Sequence, residues 1–308
     1  MSNDLKELKA LTVTIIFKAQ SLNYGEGIAN ISELKKLTRA DGNLYTFASR
    51  QCLRYDIVRI ANEVYDWNLQ VVDSSKGTIQ FKNNINIDKS EEMDLFGYMK
   101  TSKKDAESKG GSLVRPAVVR LSNAISLEPF RSDMDFLNNK GFADRIGEHP
   151  NLANIEQHLS LYTYTITIDL SKVGVDGQTV LDKSIRYKRV KELLEIIKIL
   201  NRKIRGRHEN LAPLFIIGGI YPIANPFFLG RINIAANSTG YSIDSKILSE
   251  TLKTKFLEQK VMDFTSIGIV DGVFNNKNDL EDILPKKVIS VEKFFDELEQ
   301  NVKKYYEV

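Results

Sequence analysis

The sequence predicts an α+β fold: a βαββαβ sheet of the ferredoxin-like, or RRM-like, type that carries long insertions. Three observations lead to this class. Short apolar segments with strong β-propensity alternate with two amphipathic helical segments. Their order along the chain is strand, helix, interrupted strands, strand, helix, strand. The polar stretches between them can run over the surface of a domain without disturbing its sheet.

The first strand and the first helix have clear signals. Residues 11–17 are apolar and β-branched, which predicts a buried strand. Residues 21–43 then form a long polar connection with glycine-based turn signals. An amphipathic helix is expected from Ser49 to about Trp67, because apolar residues recur within it at helical spacing.

The middle of the chain predicts short strands and insertions. Residues 70–81 resemble a hairpin, and residues 85–115 are a polar, lysine-rich insertion that is flexible or ordered by a partner. Residues 117–121 predict a strand, which residues 122–129 continue as a polar segment. Residues 130–154 contain glycines and a proline, and they predict an irregular stretch.

The second half of the pattern is stronger. Residues 161–168 alternate apolar and polar side chains and form the clearest predicted strand. After a turn region, residues 184–205 predict a long helix and residues 213–220 a buried strand. Two further helices are expected, one near residues 245–260 and one from residue 291.

Composition limits the classes of function. The chain has 308 residues, 42% of them hydrophobic and 27% charged, with a net charge of +3, so total charge alone does not predict a nucleic-acid binder. Cys52 is the only cysteine, which excludes an intramolecular disulfide and a cysteine zinc site. Residues 1–10 hold no signal-peptide core, and no apolar run reaches the roughly 18 residues of a membrane span. We therefore expect a cytoplasmic protein without a membrane partner.

Cations are concentrated in one stretch. Residues 183–208 hold ten lysines or arginines and two acids, whereas residues 271–308 hold nine acids and six basic residues. A stripe of cations attracts phosphates without regard to base sequence. A solvated helix face is the more ordinary explanation of such a run. The stretch is therefore a secondary candidate for phosphate binding.

Motifs for catalysis are weak. The sequence has no P-loop, and Gly25-x-Gly27 is only a fragment of a dinucleotide fingerprint. Three histidines lack metal-binding spacing and predict structural roles or RNA contacts: His149, His158 and His208. Asp133 and Asp135 could hold a divalent ion, but a turn explains them better. A small-molecule pocket behind Gly218–Gly219 competes with close strand packing, which explains the glycines better. We expect neither a metal nor a cofactor.

The most informative stretch is the start of the predicted first helix, Ser49-Arg50-Gln51-Cys52-Leu53-Arg54. It offers many hydrogen-bond donors and contains no acid. Arg50 and Arg54 are four residues apart and therefore share one helical face. Two guanidinium forks at a helix start suit a phosphate backbone better than bond-making chemistry. A surface salt bridge with Asp56 or another acid is the alternative explanation for the two arginines.

Further polar residues lie at the ends of the first two predicted strands. They offer backbone, phosphate and ribose contacts and no activated nucleophile. Simple turns explain Asn23 and Gly25 equally well. The candidate RNA-binding residues of the chain are Asn23, Tyr24, Arg39, Ser49, Arg50, Gln51, Arg54, Arg120, Ser122 and Asn123.

These residues resemble a known family, the backbone subunit of CRISPR-associated type I-B interference complexes (Cascade), of the Cst/DevR type within the Cas seven superfamily. The resemblance runs over roughly residues 11–230, and it includes residues 21–26, 49–56 and 120–129. The superfamily often carries Ser-Ser-Gln-x-x-Lys at this helix start. Here Arg54 replaces the lysine, which keeps the charge and adds a fork.

The resemblance implies a non-enzymatic scaffold that binds CRISPR guide RNA in antiviral defence. The chain would form one RRM-like palm over residues 1–308, with a finger insertion at residues 68–117 and a thumb or accessory region at residues 222–260. Further copies would line up head to tail along the guide RNA, beside other Cascade subunits, in an open heterologous assembly. Each copy would grip phosphate and ribose and leave most bases free to pair with target DNA.

The alternative is a metal-dependent ribonuclease subunit of such a complex. Ribonuclease members of the superfamily carry a catalytic Asp in a loop after the first strand. Here that loop offers Glu26 and Asp41, and neither stands in a matching context. Asp41, Asp133 or Asp135 would have to supply the metal ligands. The departure from the ribonuclease pattern favours a scaffold over an enzyme.

Overall fold

The computed structural model describes residues 9–75, 78–101, 112–238, 240–256 and 258–308. Its centre is a large, mostly antiparallel sheet that packs helices on both faces. Smaller two- and three-stranded sheets are built from the segments between the core strands. In the part of the chain just given, no helix combines the length and the apolar character needed to cross a membrane.

The regular elements are numbered in chain order. The helices are α1 (Arg50–Tyr65), α2 (Glu91–Phe96), α3 (Lys140–Ile146), α4 (Lys183–Lys198), α5 (Ser245–Leu252), α6 (Lys277–Ile283) and α7 (Val291–Tyr306). The strands of the central sheet are β1 (Ala10–Gln20), β3 (Lys36–Thr38), β4 (Leu44–Ala48), β9 (Val119–Leu121), β10 (Ala124–Ser126), β13 (Leu159–Asp169), β18 (Phe215–Tyr221), β23 (Thr265–Ile269) and β24 (Val288–Ser290). The strands of the smaller sheets are β2 (Ile31–Ser32), β5 (Val72–Ser75), β6 (Thr78–Phe81), β7 (Tyr98–Thr101), β8 (Ser112–Arg115), β11 (Asp133–Asn138), β12 (Leu152–Gln157), β14 (Val175–Asp176), β15 (Thr179–Val180), β16 (Asn201–Ile204), β17 (Arg207–Asn210), β19 (Ile234–Asn237), β20 (Gly240–Ile243), β21 (Lys255–Phe256) and β22 (Gln259–Lys260).

The central sheet has the strand order β24-β23-β18-β1-β13-β10-β4-β3, and β9 also pairs with β13. β1 lies between β13 and β18 and is antiparallel to both, so that Leu11 is opposite Ile168 on one side and Ile220 on the other. β9 and β10 pair with successive parts of β13. The four strands expected from the sequence correspond to β1, β9–β10, β13 and β18. They are neighbours at the centre of the sheet.

Hydrophobic residues are buried on both faces of this sheet. Alternate residues of β1 join α1, α4 and α7 in one cluster, because successive side chains of a strand point to opposite faces. Ile16 of β1 belongs to a second cluster, which includes α5 and α6. Part of this second face carries hydroxyl groups, and the Oγ1 atoms of Thr14 and Thr165 lie 2.8 Å apart. The second face is therefore apolar where α5 and α6 pack and polar around Thr14 and Thr165.

Several predicted elements are confirmed. β1, β13 and β18 overlap the strands predicted at residues 11–17, 161–168 and 213–220. α1 begins directly after Ser49, and α7 begins at residue 291 as expected. β5 and β6 form the expected hairpin, although residues 76–77 of its turn lie outside the described part of the chain.

The second long helix is shorter than predicted. α4 ends at Lys198, and the hairpin β16–β17 follows where a helix is predicted to continue to residue 205. Arg205 and Gly206 have φ angles of +47° and +75°. Two successive residues with positive φ form the tight turns that join antiparallel strands. Gly206 favours such a turn over a continuing helix.

Three other stretches hold more regular structure than predicted. The stretch at residues 130–154, expected to be irregular, contains β11, α3 and part of β12. The insertion at residues 85–115 contains α2, β7 and β8, while residues 102–111 lie outside the described ranges. The helix expected at residues 245–260 ends at Leu252, and the hairpin β21–β22 follows. Short strands depend on their pairing partners, which local spacing does not reveal.

A buried ionic cluster anchors the insertion that contains α2. Asp94 is fully buried, and its carboxylate accepts hydrogen bonds from Arg115 at 2.6 Å and from Arg189 at 2.7 Å. The backbone N–H of Gly174 donates to the same carboxylate at 2.9 Å. Arg115 and Arg189 are buried as well. Asp94 therefore compensates two cations that have little access to water.

The basic run at residues 183–208 makes many intramolecular contacts. Three lysines of α4 form ion pairs with acids of the C-terminal segment: Lys183–Glu307, Lys191–Glu299 and Lys198–Glu292. In the hairpin β16–β17, Arg202 pairs with the buried Asp56 at 2.7 Å, and Lys203 pairs with Glu63 at 3.1 Å. These pairs favour the structural explanation of the run over phosphate binding.

Gly218 and Gly219 lie where strand backbones approach closely. A Cβ atom at Gly219 would lie 1.9 Å from the carbonyl oxygen of Phe264. A Cβ atom at Gly218 would lie 2.0 Å from the carbonyl oxygen of Thr12. Close packing therefore explains this pair of glycines, as the sequence suggested.

We expect Gly219→Ala to lower the free energy of unfolding by about 2–3 kcal/mol, because the strands would have to separate. Urea unfolding followed by fluorescence would measure the change. Gly141→Ala is the matched control, since a Cβ atom there would meet nothing within 4 Å. Gly141 lies within α3, so its replacement should be neutral or stabilise the protein by up to about 1 kcal/mol. Equal stabilities of the two variants would contradict the close approach.

Candidate nucleic-acid interface

The start of α1 is anchored to two other parts of the chain. Ser49 is the N-cap residue, and its Oγ accepts a hydrogen bond from the backbone N–H of Cys52 at 3.3 Å. The same Oγ accepts a hydrogen bond from the side-chain amide of Asn23 at 3.2 Å. The backbone N–H of Arg50 donates to Oδ1 of Asn123 at 2.9 Å. No acid lies in the first turn, so the positive end of the helix dipole is uncompensated by its own helix.

The long polar side chains of this turn differ in their contacts. Arg50 and Gln51 are exposed, and their side chains form no hydrogen bond or ion pair within the described part of the chain. Arg54 instead pairs with Glu92 of α2 at 2.6 Å, and its guanidinium lies 5.1 Å from the ring centre of Phe96. The salt-bridge explanation therefore applies to Arg54 and not to Arg50.

Asp56, the acid considered as a partner for these arginines, has a different role. It is buried and pairs with Arg202 at 2.7 Å and with Arg59 at 3.6 Å. Burial raises the pKa of Asp56, although the hydrogen bond and charge of Arg202 oppose this shift. Burial also raises the pKa of Cys52 to about 11, so its thiol is protonated near neutral pH. Both side chains are buried within the fold.

A cleft of about 580 Å³ opens beside the first turn of α1. Its lining includes Arg50, Gln51 and Arg54 from the helix and Arg120 from β9. Arg120 is exposed and donates from Nε to the carbonyl oxygen of Ala117 at 3.3 Å. No ion pair engages Arg50 or Arg120 within the ranges that the structure covers. Two guanidinium groups without acidic partners therefore line one cleft.

The junction between β9 and β10 is held against β13 by a serine side chain. The backbone N–H of Ser122 donates to the carbonyl oxygen of Thr165 at 2.9 Å. In return, the backbone N–H of Thr165 donates to Oγ of Ser122 at 2.9 Å. The hydroxyl replaces a ladder hydrogen bond where β9 gives way to β10. Ser122 thus shapes the sheet edge beside Asn123, which binds the start of α1.

Two more clefts continue from the first along the sheet. The second, of about 570 Å³, shares Ala117, Arg120 and Leu121 with the first. The third, of about 520 Å³, shares Ser122, Thr165 and Leu229 with the second and also reaches Arg39. The three clefts together are called the groove below. Seven of the ten candidate residues line it: Arg39, Arg50, Gln51, Arg54, Arg120, Ser122 and Asn123.

The remaining candidates lie outside the lining. Asn23 and Ser49 bond to each other and fix the start of α1, as described above. Tyr24 lies apart from the groove, because its hydroxyl donates to the carbonyl oxygen of Glu156 at 3.1 Å. Its ring centre is 4.2 Å from the guanidinium carbon of Arg205. These residues support the local structure, and Tyr24 has no place among the lining residues.

The acidic and histidine side chains considered as metal ligands do not form a ligand cluster within the described residues. Across the described residues, no cluster of three or more His, Cys, Asp or Glu side chains could bind a metal ion. Asp41 accepts a hydrogen bond from the hydroxyl of Tyr45 at 2.6 Å, which lowers the pKa of Asp41. Asp133 and Asp135 are exposed on β11, which pairs with β12. His158 is buried, and burial lowers its pKa.

Sequence reasoning missed one side of the groove. Phe96 lines the first cleft, and residues 222–233 supply lining to the second and third, including Leu229. Phe96 lies in an insertion with no motif of its own, and its contact with Arg54 depends on the packing of α2. Residues 222–233 carry prolines and Gly230, which predict only a turn-rich segment. No local signal indicated that they line the groove.

Comparison with known protein families gives a match over most of the chain. A family model described as "CRISPR-associated negative auto-regulator DevR/Csa2" matches residues 11–229. A protein of Myxococcus xanthus (strain DK1622), named "CRISPR-associated protein Cas7/Cst2/DevR", is 28% identical over 174 residues. That alignment covers 51% of this chain and 56% of the relative, so the match spans little more than half the length of the relative.

Two solved structures share the fold. A chain of a "CRISPR RNA-guided surveillance complex, pre-nicking" superposes with a TM-score of 0.59 and 11% identity, over 95% of this chain and all of that one. A chain of a "CRISPR RNA-guided surveillance complex" superposes with a TM-score of 0.57 and 12% identity, over 94% and 98% of the two chains. At these identities the likeness concerns the fold.

Proposed function

The chain belongs to the CRISPR-associated DevR/Csa2 family, and from this premise we propose that it binds CRISPR guide RNA without cleaving it. In this proposal it is a backbone subunit of a type I-B Cascade complex in the cytoplasm. Further copies line up along the spacer and present it for pairing with target DNA in antiviral defence. Its partners are the guide RNA, target DNA through that guide, other copies of the chain and other Cascade subunits.

The observation that carries the proposal is the groove. Its first cleft contains Arg54 together with Arg50 and Arg120, which have no acidic partner within the described ranges, and its third cleft contains Arg39. Guanidinium groups bind phosphate oxygens through paired hydrogen bonds. Sheet-edge backbone and hydroxyl groups lie between the arginines and can contact ribose. Such contacts do not depend on base sequence, as a scaffold for different guides requires.

The central sheet supports the finer description of the fold as an RRM-like palm. In the expected βαββαβ unit, the four strand positions are β1, β9–β10, β13 and β18. Their order in the sheet is β18, β1, β13 and then β9–β10, with antiparallel neighbours. We therefore propose that residues 68–117 are the finger insertion and residues 222–260 the thumb or accessory region of this palm.

A metal-dependent ribonuclease is the competing function. It requires acidic residues that converge on an ion beside the RNA backbone. Asp41 already bonds to Tyr45, whereas Asp133 and Asp135 lie on β11, and none of the three lines the groove. We propose that the chain is not an enzyme. Magnesium-dependent cleavage of labelled RNA that is lost in Asp133→Asn and Asp135→Asn variants would support the ribonuclease instead.

Fluorescence anisotropy with a labelled single-stranded RNA tests the binding itself. We expect the purified full-length protein to bind the RNA with an affinity that falls linearly on a log–log plot against salt. The slope should be about −0.7 for each phosphate contact, because binding releases that fraction of a counterion. RNAs of unrelated sequence should bind with similar affinity. Binding that is insensitive to salt would contradict the proposed phosphate contacts.

Glu92 competes with phosphate for Arg54, because their side chains pair at 2.6 Å. We expect Glu92→Gln to raise RNA affinity about two- to fivefold, because loss of this half-buried pair leaves the Arg54 guanidinium available to phosphate. Anisotropy titrations of the variant and the parent measure the change. Glu63→Gln is the matched control, because Glu63 pairs with Arg59 and Lys203 away from the groove. A lower affinity of Glu92→Gln than of the parent would contradict a phosphate role for Arg54.

A further inference from the structure

A separate cleft lies between the central sheet and the C-terminal helix. It has a volume of about 280 Å³, and β18, β23 and α7 all contribute to its lining. It opens where the strands carry no large side chain, since Gly218 lies opposite Ser266. Further along, α7 packs closely on the sheet, because a Cβ atom at Gly268 would lie 2.8 Å from Cβ of Phe294. None of the described residues that line this α7 cleft also lines the groove, so its ligand is separate from the RNA strand.

Lys287 supplies a cation to the α7 cleft. Its ammonium donates to the carbonyl oxygens of Met262 at 2.8 Å and Asp263 at 2.9 Å, and it forms no ion pair in the described part of the chain. An ammonium has three N–H donors, so one donor remains. Burial lowers the pKa of Lys287, although the charge of Asp263 opposes this shift. An anionic group of a ligand would therefore compensate a half-buried charge that has no ion-pair partner of its own.

Neutral polar side chains of the α7 cleft are also available to a ligand. Ser266, Asn301 and Tyr305 line it, and their side chains form no hydrogen bond within the described ranges. Tyr305 is half-buried and its ring packs against that of Tyr306, with the ring centres 4.9 Å apart. A few polar groups placed in a partly apolar cleft fix the orientation of a small ligand.

α7 brings a carboxylate to the same cleft. Glu297 lines it and lies 3.9 Å from Lys293, which is a weak surface pair. Phe264 and Leu298 supply apolar lining. The α7 cleft thus offers a cation, a carboxylate and an apolar wall to one ligand. Its volume corresponds to roughly nine water-sized groups of about 30 Å³ each, so that ligand is small.

The charges of the lining disfavour two simpler ligands. A simple anion would be repelled by Glu297 and by Asp263, which also lines the cleft. A simple amine would be repelled by the ammonium of Lys287. A zwitterion with a short apolar group satisfies both signs of charge and the apolar wall. We propose that the α7 cleft binds an apolar α-amino acid of about the size of leucine, with its carboxylate at Lys287 and its ammonium at Glu297.

Isothermal titration calorimetry with the purified full-length protein tests this site. The probes are leucine, 4-methylpentanoate, which lacks the ammonium, and 3-methylbutylamine, which lacks the carboxylate. We expect leucine to bind about tenfold more tightly than either analogue, because each analogue loses a charged hydrogen bond. Glu297→Gln should lower the affinity for leucine about tenfold without weakening that for 4-methylpentanoate. Asp296→Asn is the matched control, since Asp296 is exposed on the same helix and does not line the cleft. It should leave all three affinities unchanged.

A second variant tests the other end of the ligand. Lys287→Met should weaken the binding of leucine and 4-methylpentanoate alike, because both carry the carboxylate. This variant also loses two hydrogen bonds to carbonyl groups, so thermal melting checks its fold, and Glu297→Gln decides the matter if it is unfolded. A preference for leucine that is lost in Glu297→Gln and kept in Asp296→Asn supports the site. If leucine binds no more tightly than its analogues, or if Glu297→Gln binds leucine as the parent does, the amino-acid site is wrong.

Discussion

Asp94→Ala should lower the free energy of unfolding by about 3–5 kcal/mol. The variant leaves Arg115 and Arg189 buried without the carboxylate to which both donate, at 2.6 and 2.7 Å. It also removes the acceptor of the Gly174 backbone N–H. Arg115 keeps an ion pair with Asp176 at 3.7 Å, but Arg189 has no other acidic partner within the described residues. An unpaired buried cation costs far more than a lost surface pair, because burial removes its hydration. The loss is a large fraction of the 5–15 kcal/mol that stabilises a typical domain.

Urea unfolding followed by the fluorescence of the single tryptophan, Trp67, measures this change. Trp67 is buried and donates from Nε1 to Glu192 at 2.8 Å, so its emission should report loss of the core. Asp144→Ala is the control, because Asp144 pairs with Lys140 at an exposed position of α3. It should cost less than about 0.5 kcal/mol. A cost below about 1 kcal/mol for Asp94→Ala would show that the cluster does not anchor the insertion.

Replacing Arg50 and Arg120 together by glutamate should lower RNA affinity roughly 100-fold at low salt. Both guanidinium groups line the same cleft, and neither has an acidic partner in the part of the chain described. The change removes two charged hydrogen-bond donors and adds repulsion against phosphate. The slope of log affinity against log salt concentration should also become less negative by about 1.4, because two phosphate contacts no longer release counterions.

A variant with the same change in net charge separates the groove from a general electrostatic effect. Lys286→Glu together with Lys303→Glu changes the charge equally, and neither residue lines the groove. Its RNA affinity should stay within about threefold of the parent, because neither lysine lines the groove where the strand is expected to bind. If both double variants lose affinity equally, the cations of the groove have no special role. Thermal melting would show that both variants remain folded.

The parts of the fold that the sequence predicted are those with strong local periodicity. β13 combines alternation with β-branched and aromatic residues, and α1 combines helical spacing with an N-cap serine. The strands β23 and β24 were missed because each is short and depends on neighbours that are distant in sequence. The strand β16 was assigned to the end of a helix because basic residues carry little information about periodicity.

The residue types of the candidate site could be predicted from the sequence, but several of its contacts could not. Arg50, Gln51 and Arg120 were selected by residue type, and the fold brings them to one cleft. The role of Asn123 was different from expectation, because its side chain accepts a hydrogen bond from the backbone of α1. The partner of Arg54 was also different, since Glu92 comes from an insertion 38 residues away. Contacts between distant segments decide which predicted donors stay available.

The central claim is that the groove holds guide RNA, and the RNA that co-purifies with the protein tests it most directly. The protein would be purified from cells that also express a CRISPR array, and the bound RNA would be sized and sequenced. We predict a high ratio of absorbance at 260 to 280 nm and RNA of defined length whose sequences are spacers flanked by repeat fragments. The Arg50→Glu, Arg120→Glu variant should recover much less of this RNA. Protein that elutes free of RNA, or with fragments of random length and origin, would contradict the account.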